Sequence, residues 1–141
     1  MHIVGELTLV IVKPDAIERG LVNKIQSEIS AAGLRIVSRH ALVFTVTHVQ
    51  EFYNWAVLYE PSRLEEYLCE SESLVWVVAG PNAISWCLAY KRALRVDWST
   101  DRLHTLIHTS DSKEDFLREY RVLFGSTPEL PYCGDGQCAS S

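Results

Sequence analysis

No stretch of this 141-residue chain is apolar for long enough to span a bilayer, and Met1-His2-Ile3-Val4-Gly5-Glu6 has no basic run followed by an apolar core and a cleavage site. The expectation is a soluble, cytoplasmic protein without membrane association. Basic residues are scarce as well: 13 Lys and Arg stand against 18 Asp and Glu, a formal charge of −5. That balance argues against strong, non-specific affinity for nucleic acid or an anionic surface, so any phosphate binding has to be local. The four cysteines, Cys69, Cys87, Cys133 and Cys138, lack zinc-ligand spacing. Cys69 and Cys87 fall in helix-like stretches and read as inert fillers, while Cys133 and Cys138 sit in a glycine-containing tail expected to be reduced. There is no Asp/Glu/His ligand cluster, so no protein metal site is expected, and there is no repeat or low-complexity segment. With 48% hydrophobic residues the chain is long enough for one globular core without metal or disulfide support.

What is present alternates strand and helix signals. Leu7 to Val12 is an unbroken apolar, β-branched run, read as a strand buried on both faces and stopped by Lys13-Pro14-Asp15. Leu21, Ile25, Ile29 and Ala32 recur at helical spacing before Gly33, and Leu34 to Thr45 reads as a strand. Thr47-His48-Val49-Gln50 is read as a capping box opening a helix that buries Val49, Phe52 and Ala56, with a second short helix from Pro61. Leu74 to Ala79 is a further strand, Asn82 caps a helix running to about Arg95, and Leu103 to His108 is the fourth strand. Ser110 or Ser112 caps a last helix with an apolar face from Phe116 to Phe124, ended by Gly125. Residues 126–141 read as an arm or disordered tail. The fold class is α+β: a ferredoxin-like split βαβ, a four-stranded antiparallel sheet with helices packed around it, taken to cover one face.

The chemistry concentrates at His108. An imidazole at the end of an apolar run, followed by a serine-capped helix carrying Glu119, is a way to hold a nucleophilic histidine, so phosphoryl transfer through a phosphohistidine is the leading hypothesis. Lys13, at the mouth of the first strand, is a compact charge for a phosphate. The competing readings are a satisfied strand-end histidine and a solvated loop lysine.

Taken in order, Thr8-Leu9-Val10-Ile11-Val12-Lys13-Pro14-Asp15-Ala16, Glu18-Arg19-Gly20-Leu21-Val22, Glu51-Phe52-Tyr53 and His108-x-Ser110-Asp111-Ser112 resemble nucleoside diphosphate kinases over roughly residues 6 to 125. The resemblance implies a kinase-like domain over residues 1–125. In it His108 is the phosphorylated nucleophile, Glu119 orients its ring, Ser110 lies near the attacked phosphate, and Lys13 and Tyr53 contact phosphate and sugar. It also implies nucleoside di- and triphosphates as partners, with Mg²⁺ delivered by the nucleotide.

The chain departs from the family pattern at several of these contacts. The position of a phosphate-binding arginine is Leu88, that of a threonine is Leu94, and the base-stacking aromatic is Ser62, whose loss gives up stacking worth roughly 1–3 kcal/mol. Thr105 replaces the sugar-contacting asparagine and Thr109 the glycine after the histidine, and the long loop with its further arginine has no counterpart. Lys91, Arg92 and Arg95, on or just after the helix that Asn82 caps, are candidates for compensating phosphate contacts, with Arg92 one turn beyond Leu88; the alternative is a solvated basic helix end. Weakened kinase activity is therefore weighed against a non-catalytic nucleotide- or protein-binding domain. A small-ligand regulatory module explains the fold but not the His108 cluster. Without the long loop, which in the family helps build threefold contacts, a homodimer is favoured over a hexamer.

Overall fold

The computed structural model describes residues 5–52, 67–99 and 105–128. Strands β1 (Glu6–Val12), β2 (Arg35–Leu42), β3 (Ser73–Gly80) and β4 (Ile107–Thr109) form one sheet in the order β2-β3-β1-β4, every neighbouring pair antiparallel. Helices α1 (Pro14–Glu18), α2 (Val22–Ala31), α3 (Val46–Phe52), α4 (Ala83–Trp98) and α5 (Lys113–Phe124) connect or follow them. This is the expected ferredoxin-like arrangement. None of these helices is long and apolar enough to cross a membrane.

The two central strands are apolar without alternation because both faces of the sheet are covered. On one face Val10, Val12, Trp76 and Val78 pack against Ile25 and Ile29 of α2 and Ala83, Cys87 and Leu94 of α4. On the other, Leu9, Ile11, Val75 and Val77 meet Val49 and Phe52 of α3 and Phe116 of α5. The expectation of helices on one face is corrected accordingly. Edge strand β2 carries Arg35, Ser38, Arg39 and His40 and stays partly exposed, with a register irregularity between Ile36 and Ser38.

Several boundaries shift for identifiable reasons. α3 opens two residues early: Thr45 Oγ1 accepts from His48 N–H at 3.1 Å while Thr45 N–H donates to His48 Nδ1 at 3.1 Å, a reciprocal cap with histidine in the usual Glu/Gln place. Asn82 stands at the start of α4 in a left-handed conformation, but its side chain does not cap; Glu6 Oε1 instead accepts from Ile84 N–H at 2.9 Å. α4 runs one turn past Arg95 to Trp98, whose carbonyl accepts from the Arg19 guanidinium, which also lies 5.5 Å over its ring. At the turn before α4, a Cβ on Gly5 would come within 2.3 Å of the Gly80 carbonyl, so only glycine permits that approach.

β4 begins at Ile107, because Leu106 has a φ of 74° and breaks the extended run; Leu103 and His104, where the strand was expected to start, lie outside the described residues. Ser112 Oγ caps α5, accepting from Asp115 N–H at 3.0 Å, and Gly125 closes it at φ 73°. Of the helix expected from Pro61, residues 67–70 are helical, with Leu68 buried. Ala56, the earlier part of that helix, and the tail from residue 129 lie outside the described residues.

Candidate active site

His108 is the middle residue of β4, paired with Ile11 of β1, and its ring lies 5.2 Å from that of Phe52. Because Ser112 starts α5 immediately after this strand, the helix carries Glu119 back beneath the imidazole. Glu119 Oε2 is 3.1 Å from His108 Nε2, and Oε1 accepts from Ser110 Oγ at 2.7 Å. Arg118 Nη2 stands 3.5 Å from Oε2. Glu119 and Ser110 are both buried. Burial pushes the Glu119 carboxyl upward, but the His108 charge, the hydrogen bonds from His108 and Ser110, and Arg118 outweigh it and hold the pKa below the usual range. A carboxylate accepting at Nε2 puts the proton of the neutral imidazole there and leaves the lone pair on Nδ1.

The imidazole faces a cleft of about 610 Å³ whose walls include Phe52, Lys91 and Arg95 of α4, and Asp111, Asp115 and Arg118. The cleft is not simply cationic. Lys91 Nζ lies 3.7 Å from Asp111 Oδ1, and Arg118 Nη2 lies 3.7 Å from Asp115 Oδ1. An incoming anion would compete with these carboxylates for both cations. Burial, then Arg95, lower the pKa of Lys91, with Asp111 opposing.

Lys13 stands behind this wall rather than in it. It is 4% exposed, and its Nζ donates to Thr105 Oγ1 at 2.8 Å. Burial, followed by Arg95, lowers its pKa from 10.5 to about 7, with Asp15 opposing and Lys91 adding to the depression. Arg95 is the bridge between Lys13 and the cleft. Its Nε donates to Thr105 O at 3.2 Å, and its Nη2 to Ile107 O at 2.9 Å and Thr105 Oγ1 at 3.4 Å.

The structure thus brings His108, Glu119, Ser110 and Arg95 together, with Lys13 joined to them through Thr105. Arg92 does not join them: it is exposed and outside the cleft wall. Leu94 belongs to the core beneath α4. Tyr53 and Ser62 lie outside the described residues. Sequence reasoning passed over Arg118, although it adjoins Glu119. Lys91, read from the sequence alongside Arg92 and Arg95, is one turn before Arg95 on the same helix face and shares the cleft wall with it. Among the described residues no group of three or more His, Cys, Asp or Glu side chains is placed to hold a metal.

Fold and site together define a ferredoxin-like domain with a histidine and a buried carboxylate at a cleft of mixed charge. The family model for nucleoside diphosphate kinase matches residues 6–128, and the chain belongs to that family. It is 31% identical over 131 residues to a nucleoside diphosphate kinase of Staphylothermus marinus, covering 84% of this chain and 92% of the relative. It is 34% identical over 131 residues to one of Methanosarcina mazei, covering 84% and 87%. The crystal structure of the Aquifex aeolicus nucleoside diphosphate kinase superposes with a TM-score of 0.70 at 30% identity, over 84% of this chain and 94% of that one.

Proposed function

We propose that this protein is a nucleoside diphosphate kinase that moves the γ-phosphate of a nucleoside triphosphate to a nucleoside diphosphate through a phosphohistidine on His108. The observation that carries the reading is the buried Ser110–Glu119–His108 chain of hydrogen bonds, which leaves the Nδ1 lone pair of His108 to act as nucleophile. Nδ1 attacks the γ-phosphorus, the bond to the bridging oxygen breaks, and the diphosphate departs with the electron pair. The ring is then cationic, with its Nε2 proton facing the Glu119 carboxylate. A second diphosphate reverses the step and leaves with the phosphoryl group. Glu119 accepts the hydrogen bond from Nε2–H throughout, so the proton stays on the ring and none has to leave the site.

Among the described residues, Lys91, Arg95 and Arg118 are the cations that line the cleft where the phosphates bind, and Lys13 acts one residue removed, through Thr105. Mg²⁺ belongs to the substrate as its nucleotide complex, held chiefly by phosphate oxygens. Because Lys91 and Arg118 already face Asp111 and Asp115, and because Leu88, Leu94 and Ser62 stand at family contact positions, nucleotide binding is weaker than in relatives with the full set. The same features favour the second reading, a non-catalytic nucleotide- or protein-binding domain. Initial rates with both nucleotides varied separate the two. Parallel double-reciprocal lines that vanish in His108→Ala support the covalent route, intersecting lines refute it, and nucleotide binding without turnover selects the second reading.

A further inference from the structure

Two residues before His108 the backbone makes a turn that a leucine resists. Leu106 has a φ of 74°, and Ile107 N–H donates to Thr105 O at 2.8 Å, which closes a γ-turn around a fully buried side chain. This conformation is strained for a residue with a Cβ and persists only where the surroundings over-determine it. Here its polar atoms are held from three sides. Arg95 grips the carbonyls of Thr105 and Ile107 at 3.2 and 2.9 Å, and Lys13 N–H donates to Leu106 O at 2.9 Å. The third side is a carboxylate: Leu106 N–H donates to Asp15 Oδ2 at 3.2 Å.

Asp15 is itself locked. It is 6% exposed, its Oδ1 accepts from the Tyr67 hydroxyl, and its own N–H donates to that hydroxyl oxygen at 2.9 Å. Asp15 and Tyr67 face a different groove from the His108 cleft, so neither is placed to touch a substrate bound there. A buried carboxylate with one oxygen on a strained backbone N–H and the other on a tyrosine is expensive to retain unless that geometry is needed. The turn ends one residue before His108, so its shape sets where the imidazole leaves the sheet relative to Glu119.

We propose that Asp15, locked by Tyr67, is a positioning residue that holds the γ-turn at Leu106 and thereby fixes His108 against Glu119. For catalysis this rests on His108 being the phosphoryl carrier. The test therefore has one arm that needs no turnover. Full-length Asp15→Ala, Asp15→Asn and Tyr67→Phe are compared with wild type by long-range ¹H–¹⁵N correlation of the His108 ring, without nucleotide, and by steady-state kinetics.

Wild type is expected to show the Nε2–H tautomer. In Asp15→Ala the signal moves toward a mixture of tautomers, and kcat falls about tenfold or more while KM stays within about threefold, as displacement of a reacting group without loss of binding requires. Asp15→Asn retains an oxygen for Leu106 N–H and recovers most of both readouts, and Tyr67→Phe lies between. Unchanged tautomer and kcat in a folded Asp15→Ala would overturn the proposal, as would a rise in KM alone. If Asp15→Ala does not fold, Tyr67→Phe decides on the same readouts. An inactive wild type whose His108 tautomer still depends on Asp15 would sink the kinase reading and leave the positioning role standing.

Discussion

Truncating Glu119 removes one charge-assisted contact to the proposed nucleophile. In Glu119→Ala, His108 Nε2 loses its acceptor at 3.1 Å and Ser110 Oγ loses its acceptor at 2.7 Å, both in a site where Glu119 is only 3% exposed. A hydrogen bond to a charged group contributes about 1.5–3 kcal/mol, so the phosphorylation step should slow by roughly ten- to a hundredfold. The orphaned Ser110 hydroxyl adds about 1–3 kcal/mol of lost fold stability. Glu119→Gln is expected to be milder. Arg118 Nη2, 3.5 Å from Oε2, favours the amide oxygen on the His108 side, which keeps a neutral bond of roughly half the strength.

Stability should also report the charge. The Glu119 pKa is held below its ordinary 4.5, so its stabilising contribution is fully present above pH 4.5 and is lost as pH falls through the depressed value. The stability gap between wild type and Glu119→Gln should therefore narrow on acidification. Rapid-quench measurement of phosphoenzyme formation, with urea unfolding across pH, reads both effects. Wild-type rates in a folded Glu119→Ala would refute the assignment of Glu119 as the orienting carboxylate.

Lys13, held at about 7 against an ordinary 10.5, binds fewer protons folded than unfolded between those values, so the folded state gains stability as pH rises from about 7 to 10.5. Lys13→Met should flatten that rise in urea unfolding, and an unchanged slope would contradict the burial argument. Ser112→Ala removes the α5 cap and should cost about 0.5–2 kcal/mol in thermal unfolding, with a loss of rate only insofar as the start of α5 frays. The homodimer expected in the absence of the long loop is tested by sedimentation equilibrium at micromolar concentration, where a hexamer or a strict monomer would count against it.

β1 and β3 were legible because a strand covered on both faces is apolar or β-branched without alternation, and Leu7 to Val12 and Leu74 to Ala79 are. That same signal already implied helices on both sides of the sheet, a consequence missed when one covered face was expected. The approach of Glu119 to His108 was legible from the serine-capped helix and the motif set the two residues share, although only the structure decides that Ser112 rather than Ser110 is the cap. Other features had no local signal. A left-handed leucine at position 106 cannot be inferred from its residue type, so β4 was started too early. The cap on α3 was misplaced because His48 fills a role usually read from Glu or Gln. Arg92 and Arg95 could not be told apart as cleft residues because α4 continues to Trp98, and only the packed phase of the helix turns Lys91 and Arg95 inward. Asp15 carried a clue in its place after Lys13-Pro14, but its partners Tyr67 and Leu106 are 52 and 91 residues away.

The central claim is a covalent phosphohistidine, and the most direct measurement is incubation of the protein with γ-labelled ATP and Mg²⁺ followed by stability analysis of any protein-bound label. The account predicts label on wild type that survives alkali, is lost in acid, maps to His108, and is discharged on adding a nucleoside diphosphate. His108→Ala should take none. Absence of label on folded wild type, or equal label on His108→Ala, would contradict it.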